Sequence, residues 1–152
     1  MKKHKQLTAI SGAKLAKTIP HGGHALRIDK VFFDPDCPYT IIGQKTLSRY
    51  DFDLVGHLPD QPVYPGVLNV ELANLTAIAL MSKLLKRLVR KPFNLGSDKI
   101  RHKKPFSPGD TLSIEVFFKK HKQGIYFFDA LIFNQRSELV TEIENFMGKD
   151  LG

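Results

Sequence analysis

At 152 residues the chain fits one domain, and 42% hydrophobic residues, with eleven Phe and no Trp, supply a core and exclude intrinsic disorder. The formal charge of +8, from 23 Lys plus Arg against 15 Asp plus Glu, fits an acidic partner or plain solubility and does not choose between them. Cys37 is the only cysteine, which excludes an intramolecular disulfide and fits a reducing compartment.

Residues 1–17 read as a peripheral segment of a single domain that spans residues 1–152. They open like a basic signal n-region, but the apolar stretch from Leu7 is broken by Ser11, Gly12 and Lys14. No stretch reaches the ~18 apolar residues of a membrane span. The expectation is a soluble, cytoplasmic protein with no integral membrane segment.

Ala25–Phe33 is rich in β-formers and predicts a strand, stopped by the run DPDCP. Thr40–Ser48 predicts its hairpin partner, and Pro59 and Pro62 keep residues 49–64 irregular. Pro65-Gly66 opens one long helix, which runs to about Val89 before Pro92. Its apolar positions between Val67 and Met81 cover nearly every side, the pattern of a buried helix. Strands follow at Asp98–Lys104, Leu112–Lys119, Ile125–Phe133 and Glu138–Met147, with strict alternation at Leu112, Ile114, Val116 and Phe118. Strands, one buried helix, then strands predict an α+β fold. A sheet that buries a helix on most sides must curl around it, which is the hot-dog architecture.

Glu71 lies inside that apolar helix, where an ionised carboxylate is costly unless paired. It is a proton-donor candidate, although a Glu at the helix's one wet edge would look the same. His57, between Gly56 and Leu58, is by itself as readily structural. Their company gives them meaning. A Pro-rich loop joins them through Pro65-Gly66, where the N–H groups of a helix N-terminus can hold a developing oxyanion.

His57 to Glu71 reads H-L-P-D-Q-P-V-Y-P-G-V-L-N-V-E. This resembles the signature H-F-P-x-x-P-x-x-P-G-V-L-x-x-E of the bacterial 3-hydroxyacyl-[acyl-carrier-protein] dehydratases of the FabZ type, with the same spacing. Upstream, IPHGGHALRIDKV resembles that family's L-P-H-R-Y-P-F-L-L-V-D-R-V. Downstream, DKIRHKKPFSPGDTLSIEV resembles its K-x-R-F-R-x-P-V-x-P-G-D-x-L stretch, so the likeness covers roughly residues 18–147.

The resemblance implies a dehydratase (a hydro-lyase) of fatty-acid or related lipid or polyketide synthesis. His57 would take the α-proton, Glu71 would protonate the leaving 3-hydroxyl, and the Gly66 N–H would hold the enolate-like oxygen. It implies a homodimer with the two catalytic residues from opposite subunits, extensible to a trimer of dimers. No cofactor or metal is implied; the substrate rides on the phosphopantetheine arm of an acidic acyl carrier protein. Leu58, Tyr64, Pro65, Val67 and Leu75 are the expected wall of the acyl tunnel, and Arg101, Lys103 and Lys104 the expected carrier-docking cations.

The chain departs from the family at four places. Gly22-Gly23-His24-Ala25 stands where the family has Arg-Tyr-Pro-Phe, whose Tyr gates the tunnel. Leu75 replaces the usual Gln four residues after the Glu, with Asn74 beside it as a substitute or with that bond lost. Leu58 and His102 each replace a Phe. His21 and His24, with Asp29 nearby, have a spacing that could hold a metal, but nothing completes a site. The basic runs Lys83–Arg90, Arg101–Lys104 and Lys119–Lys122 lack interleaved exposed aromatics, so no nucleic-acid partner is expected. A hot-dog thioesterase and a non-catalytic acyl-binding subunit are the competing readings.

Overall fold

The computed structural model describes residues 6–152; residues 1–5 of the expected peripheral segment lie outside the described residues. The strands are β1 (Thr8–Ser11), β2 (Lys30–Phe33), β3 (Thr40–Thr46), β4 (Pro92–Gly96), β5 (Lys99–His102), β6 (Thr111–Lys122), β7 (Ile125–Phe133) and β8 (Leu139–Asp150). The single α-helix among the described residues, α1, spans Gly66–Leu85. The strands form one antiparallel sheet in the order β1-β2-β3-β6-β7-β8-β4, with β5 also paired to β8.

The sheet curls around α1, which packs on β3, β6, β7 and β8. Alternation decides which side chains meet it: Leu112, Ile114 and Val116 of β6 and Phe128, Ala130 and Ile132 of β7 are all buried. From Leu72 to Met81 every helix residue except Asn74 is buried, as expected for a helix apolar all round. By length and composition α1 could also cross a membrane, but here its apolar faces are spent inside the sheet.

The structure departs from the sequence reading chiefly at the helix end, at the start of β2 and in an unexpected strand. The helix ends at Leu85 rather than near Val89, because Lys86 turns left-handed and its N–H and that of Arg87 close on Lys83 and Ser82 carbonyls. No glycine marks that stop. The strand expected from Ala25 begins only at Lys30, since Gly23–Ala25 is a 3-10 turn. β4 has no counterpart among the expected strands; it pairs with β8 through a bulge between Asn94 and Gly96. The N-terminal segment supplies edge strand β1, and the 3-10 turn after it sends Leu15 into the core.

Candidate active site

His57 follows a 3-10 turn, Phe52–Leu54, whose Asp51 caps it by accepting from the Asp53 N–H at 3.0 Å. A clamp holds both ends of the histidine loop. Arg27 reaches Asp53 through two hydrogen bonds, 2.7 and 3.1 Å, and the buried Tyr64 hydroxyl donates to the same carboxylate at 3.1 Å. Burial alone would raise the Asp53 carboxyl, but the Arg27 hydrogen bond and charge, with help from Tyr64 and Lys45, outweigh it and hold it below its usual value. Burial and the Asp53 charge push the Tyr64 hydroxyl far up, so it stays a donor. Within the loop, Leu58 sits at φ 49°, a left-handed conformation costly for a branched side chain.

The His57 ring places Nδ1 2.6 Å from the Val63 carbonyl oxygen. A carbonyl can only accept, so Nδ1 carries the proton and Nε2 of the neutral ring is left with its lone pair. That is the tautomer a general base requires.

Beyond the loop, α1 follows Pro65, which offers no side-chain cap, so the N–H groups of Gly66 and Val67 stay open to an incoming oxygen. The His102 ring packs against Gly66, where a Cβ would meet it at 3.4 Å, and His102 Nδ1 is 2.9 Å from Thr141 Oγ1. Gly66, His102, Lys103 and Lys104 share an open groove of about 340 Å³ with Val63 and Tyr64. Lys104 is paired with Glu138, Lys103 lies 4.0 Å from Glu142, and Arg101 is exposed beside them.

Glu71 is half-buried, and its Oε2 accepts from Asn74 Nδ2 at 3.4 Å. Asn74 thus bonds the carboxylate from the position next to Leu75, which is fully buried and turned into the core. Glu71 heads a cavity of about 80 Å³ that follows one helix face through Asn74, Ala77, Ile78 and Met81 and is closed by Phe128 and Phe146.

None of the five residues expected to line the tunnel borders this cavity. Tyr64 is buried in the clamp, Leu75 is in the core, Leu58 and Val67 are exposed, and Pro65 sits at the helix entrance. Four of them lie inside the motif and Leu75 follows it, whereas the cavity takes its far wall from β4 and β8. His21 lines the cavity beside Glu71. Among the described residues no three His, Cys, Asp or Glu side chains converge as a metal set, so His21, His24 and Asp29 form none. Neither catalytic candidate bonds the other among the described residues: His57 is held by Val63 and Glu71 by Asn74.

The FabA-like domain model matches residues 23–144, most of the chain. The 3-hydroxyacyl-[acyl-carrier-protein] dehydratase FabZ of Psychromonas ingrahamii is 31% identical over 128 residues, 83% of this chain and 85% of that protein. The FabZ dehydratases of Roseiflexus sp. and Clostridium perfringens are each 38% identical, covering 70% and 75% of this chain and 74% and 81% of those proteins. The chain belongs to the FabA-like family and is of the FabZ dehydratase type. Among solved structures, the dehydratase heterocomplex ApeI:P from Xenorhabdus doucetiae matches with TM-score 0.76 at 16% identity, over 91% of both chains. The E. coli PaaI protein matches with TM-score 0.56 at 16% identity, over 72% of this chain and 75% of that one. At such identities these two show the hot-dog fold alone.

Proposed function

We propose that this FabZ-type dehydratase removes water from a 3-hydroxyacyl thioester carried on acyl carrier protein, giving the trans-2-enoyl thioester. His57 Nε2 takes the α-proton, which the thioester carbonyl acidifies. The Gly66 N–H, at the positive end of α1, stabilises the enolate-like oxygen. Glu71 protonates the 3-hydroxyl as it leaves as water. One proton is taken, one is given and the C–O bond breaks, so the elimination balances with no cofactor or metal. The observation that carries this reading is the His57 tautomer: a base ring fixed by the Val63 carbonyl, six residues from it in a loop that ends at the oxyanion-ready helix.

His57 does not border the cavity that Glu71 lines, and the reading includes a homodimer in which each site takes its histidine from one subunit and its glutamate from the other. The acyl chain enters the cavity between α1 and the β4–β8 edge, walled by Ile78, Met81, Phe128 and Phe146, in place of the tunnel residues named from the motif. Lys103 and Lys104, at the groove beside Gly66, and Arg101 meet the phosphopantetheine arm and the acidic carrier. The lone Cys37 fits a cytoplasmic enzyme.

The test is hydration of a crotonyl or longer trans-2-enoyl thioester, followed by loss of enoyl absorbance. His57→Ala and Glu71→Gln each abolish it while the far-UV spectrum stays native. Subunit exchange between the two inactive variants restores about a quarter of the wild-type rate, since half the dimers are mixed and one of their two sites is intact. Full activity in either variant overturns the assignment. Release of free thiol instead of loss of enoyl absorbance would make the protein a thioesterase.

A further inference from the structure

Glu71 is held by a chain of hydrogen bonds whose direction is set from the backbone. At the β4 bulge the Gly96 N–H donates to Asn94 Oδ1 at 2.8 Å. A backbone N–H can only donate, so the oxygen of the Asn94 amide must face it and the Nδ2 group must face away. That group donates to Asn74 Oδ1 at 2.7 Å. The Asn74 amide is thereby oriented as well, with its own Nδ2 towards Glu71 Oε2 at 3.4 Å. Without Asn94, the Asn74 amide could turn either edge to the carboxylate, and its carbonyl edge would repel the ionised form.

We propose that Asn94 is a positioning residue for the catalytic acid: it locks the Asn74 amide so that an N–H, not a carbonyl, faces Glu71. The proposal rests on the reading of Glu71 as the acid. Asn94 touches no reacting atom and acts through Asn74. The other charged or titratable groups near Glu71 are His21 and Lys149, which line its cavity, and Arg27, whose guanidinium senses its charge. None of them bonds Glu71 among the described residues, and all are unchanged in the variants below.

Asn94→Asp keeps the bond from the Gly96 N–H but can no longer donate to Asn74. Asn74 then turns its Nδ2 to the introduced carboxylate and its carbonyl to Glu71. The expected result is a fall in kcat on the order of ten- to a hundredfold with KM unchanged. The limb of the rate profile set by Glu71 also moves to higher pH, because its charged form is disfavoured. Asn94→Ala releases Asn74 without forcing it round, so kcat falls less and the limb stays in place. In an Asn74→Ala background Asn94→Asp no longer moves the limb, which separates the relay from the bare charge of the introduced carboxylate. An unshifted limb in Asn94→Asp, or the same shift in the Asn74→Ala background, overturns the proposal.

A second readout does not need turnover. In the wild-type protein the side-chain amide NMR signals of Asn74 and Asn94 follow the titration of Glu71, and they stop doing so in Glu71→Gln. An Asn94 amide that ignores Glu71 overturns the relay even if no substrate is turned over. Active wild-type enzyme with a silent Asn94 overturns the relay and leaves the dehydratase reading standing; a relay seen by NMR with no hydration of crotonyl or longer trans-2-enoyl thioesters overturns the dehydratase reading and leaves the hydrogen-bond relay standing.

Discussion

Helix and sheet approach each other tightly at Gly43, and that contact makes a sharp prediction. Gly43 lies in the middle of β3, paired with Val31 on one side and Ile114 on the other, and faces Thr76 of α1. A Cβ there would lie 2.2 Å from Thr76 Oγ1, 3.2 Å from Cγ2 and 3.3 Å from Cβ, against the 3.5–4.0 Å of a comfortable contact. Thr76 is fully buried, and its hydroxyl donates to the Leu72 carbonyl at 2.8 Å, so it cannot rotate away without losing that bond. Gly43→Ala therefore displaces the helix or the side chain, at an overpacking cost of about 1–3 kcal/mol. Thr76→Ala removes the two nearest atoms and costs about 1 kcal/mol by itself through the lost buried methyl. In the double variant most of the clash is gone, so the two changes couple favourably by about 1–2 kcal/mol. Urea unfolding followed by far-UV circular dichroism on the four proteins measures this directly. A Gly43→Ala protein within about 0.5 kcal/mol of wild type, or strictly additive effects, would refute the reasoning.

Asp53→Asn breaks the clamp at the foot of the His57 loop and leaves Arg27 without a charged partner. It should lower stability by about 1–3 kcal/mol and cut kcat more than it changes KM, both read on one purified sample. Leu75→Gln, which restores the residue usual in the family, places an amide in a fully buried site and should cost about 2–3 kcal/mol with no gain in activity, since Asn74 already serves Glu71. At Asp150, burial would raise the carboxyl, but hydrogen bonds from Lys91, Arg87, Gly152 and Arg90 hold it well below the usual carboxylate range. A depressed folded-state value stabilises above the unfolded value of about 3.9 and is lost as pH falls through the folded one. Asp150→Asn should therefore lower the urea midpoint at pH 7, with the gap to wild type narrowing below about pH 4; an equal gap at both ends would contradict this.

Much of the fold is legible in the sequence because local and global signals agree. Pro65-Gly66 marks the start of α1, its all-round apolar pattern marks it as buried, and the strict alternation of Leu112, Ile114 and Val116 marks the inner face of the sheet. β4 is hidden: it begins at Pro92, ends at Gly96 and exposes most of its side chains, so no period-2 burial shows. The helix end is hidden because a lysine, Lys86, takes the left-handed turn where a glycine would have signalled it. At the site, the candidate catalytic residues stand in one short motif. Val63 and Tyr64, which hold the histidine loop, stand in it too, but Arg27, Asp53 and Asn94 do not. Arg27 reaches Asp53 from 26 residues away, and Asn94 reaches Asn74 from 20, and nothing in either local sequence announces the partner. The cavity beside Glu71 likewise takes its walls from α1, β4 and β8, which stand far apart in the sequence.

The dependence of Glu71 on β4 has a thermodynamic consequence. β4 is five residues long, pairs with β8 on one side only, and exposes Phe93 and Leu95, so it lies at the low-stability end of the sheet. Its start is pinned by Asp150, which accepts from the Lys91 N–H at 2.9 Å and the Arg90 N–H at 3.3 Å, while the Leu151 N–H returns to the Lys91 carbonyl. β6 and β7, by contrast, are ladder-bonded on both sides and carry the buried core. Local opening of β4 withdraws Asn94 from Asn74 while α1 and the central strands stay folded. Hydration activity is therefore expected to fall at lower urea than the far-UV signal, with β4 amides exchanging faster than those of β6 and β7. Asp150→Asn should widen that interval, because it removes the pin without touching the site. Coincident loss of activity and far-UV signal in both proteins would show that β4 opens only with the whole domain, and that the acid is held as firmly as the core.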